Sequence, residues 1–383
     1  MSYQSVDKLQ LALATKVFHY AKDAKKASGR ALGTMIELIT FYLLKDWGLE
    51  ESIRIEKGLI EYRNAAVSHN VEYTLHPTLK SYKLAFKHSL PLNSTKIINE
   101  IQAKNLFDLK EYTKISSTLV SVSNIVKNSC VVARNKDKAL VAVLIKDNAK
   151  TIEIAVTEQY EKPYAMIECK RVGVEEGMKK GPQTIEKAKQ GAYVAKSVSS
   201  LQKVRNYDGT LFGLLPIGKD NFKYGRYDEL LKEIILTTNE ELYKDFILSI
   251  GVVSNHGNWF TSNNPNKELV VLRDAYDWLL FLTDEGLATF IDELLLNPKR
   301  EDYKSAQIAF LSSYTSGADG IRKAGINQFT KAQIGAGADQ ALQKYFRENR
   351  QKIASWFNII TPDNSSINIL KDEIKALSIK SWK

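Results

Sequence analysis

Residues 151–171 limit the possible folds more than any other part of the sequence. Residues 151–157 (TIEIAVT) and 164–171 (YAMIECKR) are both rich in strand-forming side chains. Glu161, Lys162 and Pro163 separate the two runs, which predicts a turn and therefore a β-hairpin. A helix is predicted over 183–204, because Pro182 stands where proline suits a helix N-terminus. Strands followed by a helix predict an α/β fold.

The remaining sequence extends this pattern on both sides. Its apolar spacing predicts two N-terminal helices, at 5–26 and 29–47, and several further strands, at 52–60, 71–75, 139–145, 210–215 and 246–253. After residue 268 the spacing favours helices to the end of the chain. We therefore predict an α/β fold, with a mixed central sheet flanked by helices, N-terminal helices and a mainly helical C-terminal region. The predicted divisions are an N-terminal helix at 1–28, a core at 29–265 with an insertion around 61–140, and a helical region at 266–383.

Charge suggests a class of partner. Lys and Arg number 54 against 44 Asp and Glu, which gives a formal net charge of +10. A basic surplus favours a polyanionic partner, since binding releases counterions from phosphates. The alternative is an ordinary basic protein that binds no nucleic acid. Charge alone does not decide between these two.

Cysteine usage and hydropathy suggest a compartment. Cys130 and Cys169 have neither the spacing of a metal site nor that of a disulfide framework. The N-terminus has no signal-peptide pattern, and no apolar run is long enough to span a bilayer. The sequence therefore predicts a reduced, cytoplasmic protein without a membrane segment.

A carboxylate and an ammonium group interrupt the second apolar run. Glu168 and Lys170 point to the same face of a strand, because side chains alternate. A salt bridge at a sheet edge is one explanation. The other is a catalytic site, because Asp147 lies 21 residues before Glu168 and the predicted hairpin would bring the two carboxylates together. Converging carboxylates form the hard oxygen site that Mg²⁺ uses for phosphodiester hydrolysis.

The segment from Asp147 through Glu168, Cys169 and Lys170 resembles the PD-(D/E)xK nuclease motif, specifically that of type II restriction endonucleases. The resemblance implies a restriction-endonuclease-like core in which Asp147, Glu168 and the backbone carbonyl of Cys169 bind Mg²⁺. It also implies that Lys170 is the catalytic lysine. Lys146 departs from the motif, which often has proline there, and Glu153 is the alternative acid.

Residues outside the motif are predicted to support it. The family core begins with a helix that carries an inward glutamate, a part that Glu37 is placed to play. Polar residues of the loop and helix that follow the strand are predicted to complete the site. Gln183 and Glu186 would lie around the metal. Three lysines would bind phosphate: Lys179, Lys180 and Lys187. Two polar segments carry groups that suit base edges: Asn255 and His256 in the first, and Arg322, Lys323, Asn327 and Gln328 in the second. Each of the two segments could equally be a surface loop or a dimer contact. The residues of the following helix are explained at least as well by a solvated helix face, and Glu37 equally well as a partly solvated helix residue.

The resemblance implies an Mg²⁺-dependent endonuclease that cuts double-stranded DNA at a short specific sequence. It further implies a homodimer, with residues 266–383 used for DNA binding or dimerisation, and a cognate DNA methyltransferase in the same restriction-modification system. A repair or processing nuclease that reads DNA structure is the main alternative, and a non-catalytic DNA-binding module is another. Arg63 and His69 also resemble the metal-independent pair of HEPN-type ribonucleases, which requires both residues on a helix.

Overall fold

The computed structural model describes residues 6–19, 23–148, 150–173, 182–256, 267–314 and 329–382. Within these ranges the chain is a mixed α/β protein with several sheets. It divides into two compact units, neither of which is continuous in sequence. The first comprises 1–55, 78–162 and 284–353, and the second comprises 56–77, 163–283 and 354–383. These units do not coincide with the three consecutive regions predicted from sequence.

The helices of the described residues follow the apolar spacing of the sequence. In chain order they are α1 Val6–Lys16, α2 Ala24–Asp46, α3 Ser94–Ala103, α4 Pro182–Ser197, α5 Tyr227–Leu236, α6 Glu240–Tyr243, α7 Lys267–Ala275, α8 Asp284–Ile291, α9 Lys304–Tyr314, α10 Ala336–Glu348, α11 Arg350–Ala354 and α12 Ile367–Ser378. Short helical turns of other types occupy Glu50–Ser52, Asp292–Leu296 and Glu301–Tyr303. No helix of the described ranges is long and apolar enough to cross a membrane.

The strands are more numerous than the sequence predicted. In chain order they are β1 Ile53–Glu61, β2 Asn64–Leu75, β3 Thr78–Lys87, β4 Leu92–Asn93, β5 Thr113–Lys114, β6 Thr118–Val120, β7 Ile125–Lys127, β8 Cys130–Arg134, β9 Lys138–Asp147, β10 Thr151–Tyr160, β11 Ala165–Gly173, β12 Gln202–Arg205, β13 Leu211–Ile217, β14 Asn221–Arg226, β15 Leu248–His256, β16 Trp278–Leu282, β17 Gln333–Gly335 and β18 Phe357–Thr361.

The second unit contains most of a six-stranded sheet, in the order β1-β2-β11-β15-β16-β18. Strand β11 is central: it pairs antiparallel with β2 and parallel with β15. Apolar side chains of α4 and α7 pack on this sheet in one buried cluster, which includes Val71 and Met166 from the strands and Ala192 and Leu272 from the helices. Because both of its neighbours are strands, β11 presents its side chains at fixed positions. A three-stranded sheet, β12-β13-β14, lies in the same unit.

The first unit contains a five-stranded sheet in the order β3-β10-β9-β8-β5. Strand β10 pairs antiparallel with both β3 and β9. Ile152, Ile154 and Val156 of β10 are fully buried in the core of this unit, together with Ile97 and Ile101 of α3. A small sheet, β17-β7-β6-β4, belongs to the same unit.

The predicted hairpin of 151–157 with 164–171 is wrong. Strands β10 and β11 follow one another in sequence but lie in different sheets. The reason lies in burial: residues 164–169 are all no more than 5% exposed, so both faces of β11 are covered. An apolar run buried on both faces is typical of a central strand with a parallel neighbour, and β11 finds that neighbour in β15.

The prediction of helices from residue 268 to the end of the chain is wrong for two segments. Residues 278–282 (WLLFL) form β16, and 357–361 form β18, both in the six-stranded sheet. A short continuous apolar run is compatible with a buried strand or a buried helix, and periodicity does not separate the two. The C-terminal region remains mainly helical, as predicted.

A buried polar cluster in the first unit gives a test of stability. Tyr42 donates a hydrogen bond of 2.6 Å to the Asp339 carboxylate, which also forms a 3.0 Å ion pair with Lys45. Tyr42→Phe removes one hydrogen bond to a charged acceptor, so we expect the free energy of unfolding to fall by about 1.5–3 kcal/mol. Chemical denaturation followed by circular dichroism measures this loss. Tyr207→Phe is the control, because Tyr207 is 98% exposed, and an equal loss in both variants would contradict the prediction.

Candidate functional site

The Glu168 and Lys170 side chains meet on β11. Lys170 Nζ lies 3.0 Å from Glu168 Oε2, and the Glu168 side chain is 4% exposed whereas that of Lys170 is 29% exposed. The alternation of a strand places both on one face, as the sequence predicted. A buried carboxylate beside a half-buried ammonium group therefore lies in the middle of the sheet, and not at a sheet edge.

A third charged residue joins this pair from the neighbouring strand. Glu72 of β2 places Oε1 3.8 Å from Lys170 Nζ, and its side chain is 16% exposed. Strands β2 and β11 pair antiparallel up to Tyr73 and Ile167, and Glu72 and Glu168 are the next residues along each strand. Two carboxylates therefore share one ammonium group within the second unit. We call Glu72, Glu168 and Lys170 the Glu-Glu-Lys cluster.

Sequence reasoning missed Glu72. Residues 71–75 (VEYTL) were predicted to form a strand, and Glu72 is the only charged residue among them. A lone acid in an apolar strand is the same signal that identified Glu168. It was overlooked because Glu72 is far from Glu168 in sequence, and strand pairing at that range is not visible in local patterns.

Gly191 and the side chain of Tyr276 complete the immediate surroundings of the cluster. A Cβ atom at Gly191 of α4 would lie 3.8 Å from Glu168 Cγ and 3.9 Å from Lys170 Cε. The same position is 2.7 Å from the Tyr276 hydroxyl oxygen. Burial raises the pKa of Tyr276 well above its ordinary value, and the neighbouring Glu168 carboxylate raises it further. The tyrosine therefore carries a neutral hydroxyl next to the cluster.

Asp147 is placed differently from the sequence prediction. It ends β9 in the first unit, whereas Glu168 and Lys170 belong to the second. Its Oδ1 lies 3.3 Å from His88 Nε2, and its backbone carbonyl accepts a hydrogen bond from Gln340. The hairpin that was expected to carry Asp147 to Glu168 does not form. Asp147 therefore lies beside His88 in the first unit, and its role as a metal ligand stays a prediction.

Three other residues that were predicted to support the site, Glu153, Glu37 and Cys169, lie on three different elements. Glu153, the alternative acid, lies on β10 opposite Lys146 in the first unit. Glu37 of α2, also in the first unit, has Oε2 3.3 Å from Lys331 Nζ, so an ion pair accounts for its place on an apolar helix. Cys169 lies between Glu168 and Lys170 on β11, with its side chain buried. The proposed role of its backbone carbonyl stays a prediction.

The predicted DNA-contacting residues either are described by their backbone alone or lie outside the described residues. Asn255 and His256 end strand β15 and do not form the expected loop, and only their backbone is described. The same holds for three residues of helix α4: Gln183, Glu186 and Lys187. The remaining candidates lie outside the described residues: Lys179, Lys180, Arg322, Lys323, Asn327 and Gln328.

The helical arrangement required by a HEPN-type ribonuclease does not form. Arg63 lies in the two-residue connection between β1 and β2, at a φ of 60°, and His69 lies on β2. His69 Nε2 is 2.8 Å from Glu61 Oε1, and Asn64 donates a second hydrogen bond to the same carboxylate. His69 is therefore held in a strand by a buried acid.

This acid makes stability depend on pH. The hydrogen bond from His69, followed by that from Tyr193, lowers the pKa of Glu61. A carboxylate whose pKa is lowered in the folded state stabilises it above the unfolded pKa of about 4.3, and this stabilisation is lost as pH falls through the lower folded value.

We therefore expect Glu61→Gln to lose less thermal stability than the wild type on acidification through that range. The melting temperature as a function of pH measures the difference. Glu285→Gln is the control, because Glu285 is exposed. An acid response in Glu61→Gln equal to that of the wild type would refute the assignment.

Glu72 and Glu168 carry the kind of oxygen ligand that a hard divalent cation takes in proteins. Among the residues that the structure describes, no group of three or more His, Cys, Asp and Glu is arranged to hold a metal. Mg²⁺ does not require such a group, because it retains several waters and uses one or two protein carboxylates together with substrate phosphates. Glu72 and Glu168 supply two carboxylates, one of them buried at 4% exposure.

Comparisons with known protein families, with curated proteins and with solved structures found no match for this chain.

Proposed function

We propose that this chain is an Mg²⁺-dependent endodeoxyribonuclease of the PD-(D/E)xK type, with Glu72, Glu168 and Lys170 at its centre. The observation that carries the proposal is the convergence of two carboxylates on the ammonium group of Lys170, across adjacent strands. The order of elements supports it: Glu-x-Lys strand β11 is followed by helix α4 and, after the β12-β13-β14 sheet and helices α5 and α6, by strand β15, which pairs with β11 in parallel. In this proposal Glu72 provides the second carboxylate, the role that the sequence predicted for Asp147.

The residues of the cluster divide the chemistry between them. Glu72 and Glu168 would hold Mg²⁺ through carboxylate oxygens. The ion, when bound, stabilises charge on phosphate oxygens and makes a bound water more acidic. Lys170 stays partly exposed and carries a positive charge close to both carboxylates. That charge neutralises the negative charge that develops on the scissile phosphate and orients the attacking water.

Double-stranded DNA is the proposed substrate. The net charge of +10 favours association with a polyanion. The sequence carries no Walker-type loop that would couple cleavage to ATP hydrolysis. The chain has many residues beyond a minimal nuclease core, which suits sequence-specific cutting better than repair of DNA ends. We therefore propose a type II restriction endonuclease, acting as a cytoplasmic homodimer with a cognate DNA methyltransferase.

Digestion of plasmid and phage DNA by the purified protein tests this function. Reactions contain Mg²⁺, Ca²⁺ or EDTA. Discrete fragments formed with Mg²⁺, and absent with EDTA, are expected of a restriction enzyme. A smear would favour the repair or processing nuclease, which reads DNA structure. DNA left intact under all three conditions would refute the nuclease proposal.

A further inference from the structure

The three-stranded sheet β12-β13-β14 has two unlike faces. One face packs on helix α5: a Cβ atom at Gly213 would lie 2.9 Å from Leu230 Cδ1, and one at Gly225 would lie 3.6 Å from Leu230 Cγ. Side chains alternate along each strand, so the residues that alternate with these glycines lie on the opposite face. The strand register groups six residues there: Val204, Phe212, Leu214, Phe222, Tyr224 and Arg226. We call these six residues the aromatic face.

The rings of the aromatic face are exposed. Phe222 is 60% exposed and Tyr224 is 59% exposed. The rings of Phe212 and Tyr224 are stacked, with their centroids 4.9 Å apart and an angle of 5° between their planes. Among the residues that the structure describes, four aromatic side chains are exposed, and three of them belong to this sheet or its first turn: Tyr207, Phe222 and Tyr224. Apolar side chains that are grouped in this way on a surface mark a binding site.

Exposed planar rings suit the bases of a nucleic acid. Successive bases of a single strand stack on aromatic side chains, because every base has a π face whatever its sequence. Some modules that recognise single-stranded RNA present their stacking rings on the surface of a β-sheet. Paired bases are stacked inside the duplex, where a side chain does not reach their faces. Stacking on a protein surface of this kind therefore selects unpaired bases.

The charge of this region is complementary to phosphate. Residues 202–226 contain five basic and two acidic residues. Lys219, in the turn between β13 and β14, is exposed. Arg226 Nε lies 3.3 Å from Asp228 Oδ1 and 3.8 Å from Glu229 Oε1, and all three side chains are more than half exposed. Exposed ion pairs of this kind are weak, so a phosphate can replace either carboxylate.

A second copy of the chain is the less favoured occupant of this surface. Arg226 is the only charged residue among the six of the aromatic face. A symmetric contact between two copies would therefore bring two arginines and no acid from the aromatic face to the interface. The net charge of +10 also repels a second copy, whereas it attracts a nucleic acid.

We propose that the aromatic face binds unpaired bases of DNA, with the stacked rings of Phe212 and Tyr224 as the platform and with Arg226 and Lys219 against the phosphates. The choice of DNA rests on the proposed function. The inference adds to that function a preference for single-stranded flanks or for bases displaced from a duplex. The aromatic face belongs to the same unit as the Glu-Glu-Lys cluster.

Tyr224→Ala tests the proposal, because it removes one ring of the stacked pair from an exposed position. Affinity for a fluorescently labelled single-stranded oligothymidylate is measured by anisotropy in EDTA, which prevents metal-dependent cleavage. We expect this affinity to fall by about 5- to 140-fold, the equivalent of about 1–3 kcal/mol of stacking energy per base. Affinity for a blunt duplex of the same length should change less. Tyr224→Phe keeps the ring and should bind as the wild type does. Leu236→Ala, which removes an exposed apolar side chain from α5, should also bind as the wild type does.

Equal single-strand affinity in the wild type and in Tyr224→Ala would overturn the inference. So would a wild-type dimer that Tyr224→Ala converts to a monomer in sedimentation experiments without loss of single-strand affinity, because the face would then join two copies. If Tyr224→Ala does not fold, Phe222→Ala provides the second variant and should show the same loss. A wild type that cuts DNA with Mg²⁺ but binds no single strand would refute the inference alone. Single-strand binding that depends on Tyr224, in a protein that cuts no DNA, would refute the nuclease proposal alone.

Discussion

Lys170→Ala is expected to lower the single-turnover rate of DNA cleavage by about 10²–10³-fold, the usual cost of removing one preorganised charge from a transition state. Lys170 Nζ lies 3.8 Å from Glu72 Oε1 and 3.0 Å from Glu168 Oε2. Its loss removes the positive charge that would face the scissile phosphate. The experiment is a cleavage time course with Mg²⁺ on DNA that the wild type cuts.

Two further measurements separate chemistry from folding and from DNA binding. Lys196→Ala is the matched control, because Lys196 is an exposed lysine of α4 in the same unit. It should cut at the wild-type rate. Melting temperature and DNA affinity in Ca²⁺ should be similar for Lys170→Ala and the wild type. Cleavage by Lys170→Ala at the wild-type rate would show that Lys170 only balances the charge of its two glutamates.

Replacing the second acid of the cluster, Glu72, is expected to lower the rate of DNA cleavage by a factor of similar size. We expect Glu72→Gln to lower cleavage by at least the roughly 10- to 100-fold that loss of an outer-shell metal partner costs. Asp147→Asn should retain the wild-type rate. The physical reason is that Glu72 shares Lys170 with Glu168, whereas Asp147 Oδ1 lies 3.3 Å from His88 Nε2.

Calorimetric titration with Ca²⁺ distinguishes a metal ligand from a residue needed only for folding. Glu72→Gln and Glu168→Gln should both bind the ion weakly, while Asp147→Asn binds it as the wild type does. The reverse result, an active Glu72→Gln and an inactive Asp147→Asn, would restore the motif as it was assigned from sequence. Inactivity of all three variants at unchanged melting temperature would mean that Asp147 also takes part in catalysis.

The Glu-x-Lys pair was predictable because its geometry is local. Side chains two residues apart on a strand share a face whatever the strand pairs with. Helix α2 was predictable for a similar reason, since its apolar run repeats at helical spacing. The hairpin prediction failed because a turn at 161–163 can connect two strands of the same sheet or two strands of different sheets. Which of these two arrangements forms depends on what covers each face of the strand. Both faces of residues 164–169 are buried.

The sequence alone determined the mixed α/β character, the N-terminal helices, strand β11 and the pairing of Glu168 with Lys170 on one face. These follow from side-chain spacing within about ten residues, which fixes local conformation. Only the tertiary structure decided that β11 lies between β2 and β15, and that Glu72 lies beside Lys170. It alone also placed Tyr276 against Gly191. Contacts between distant segments depend on which surfaces exclude water together, and that is settled when the whole core forms.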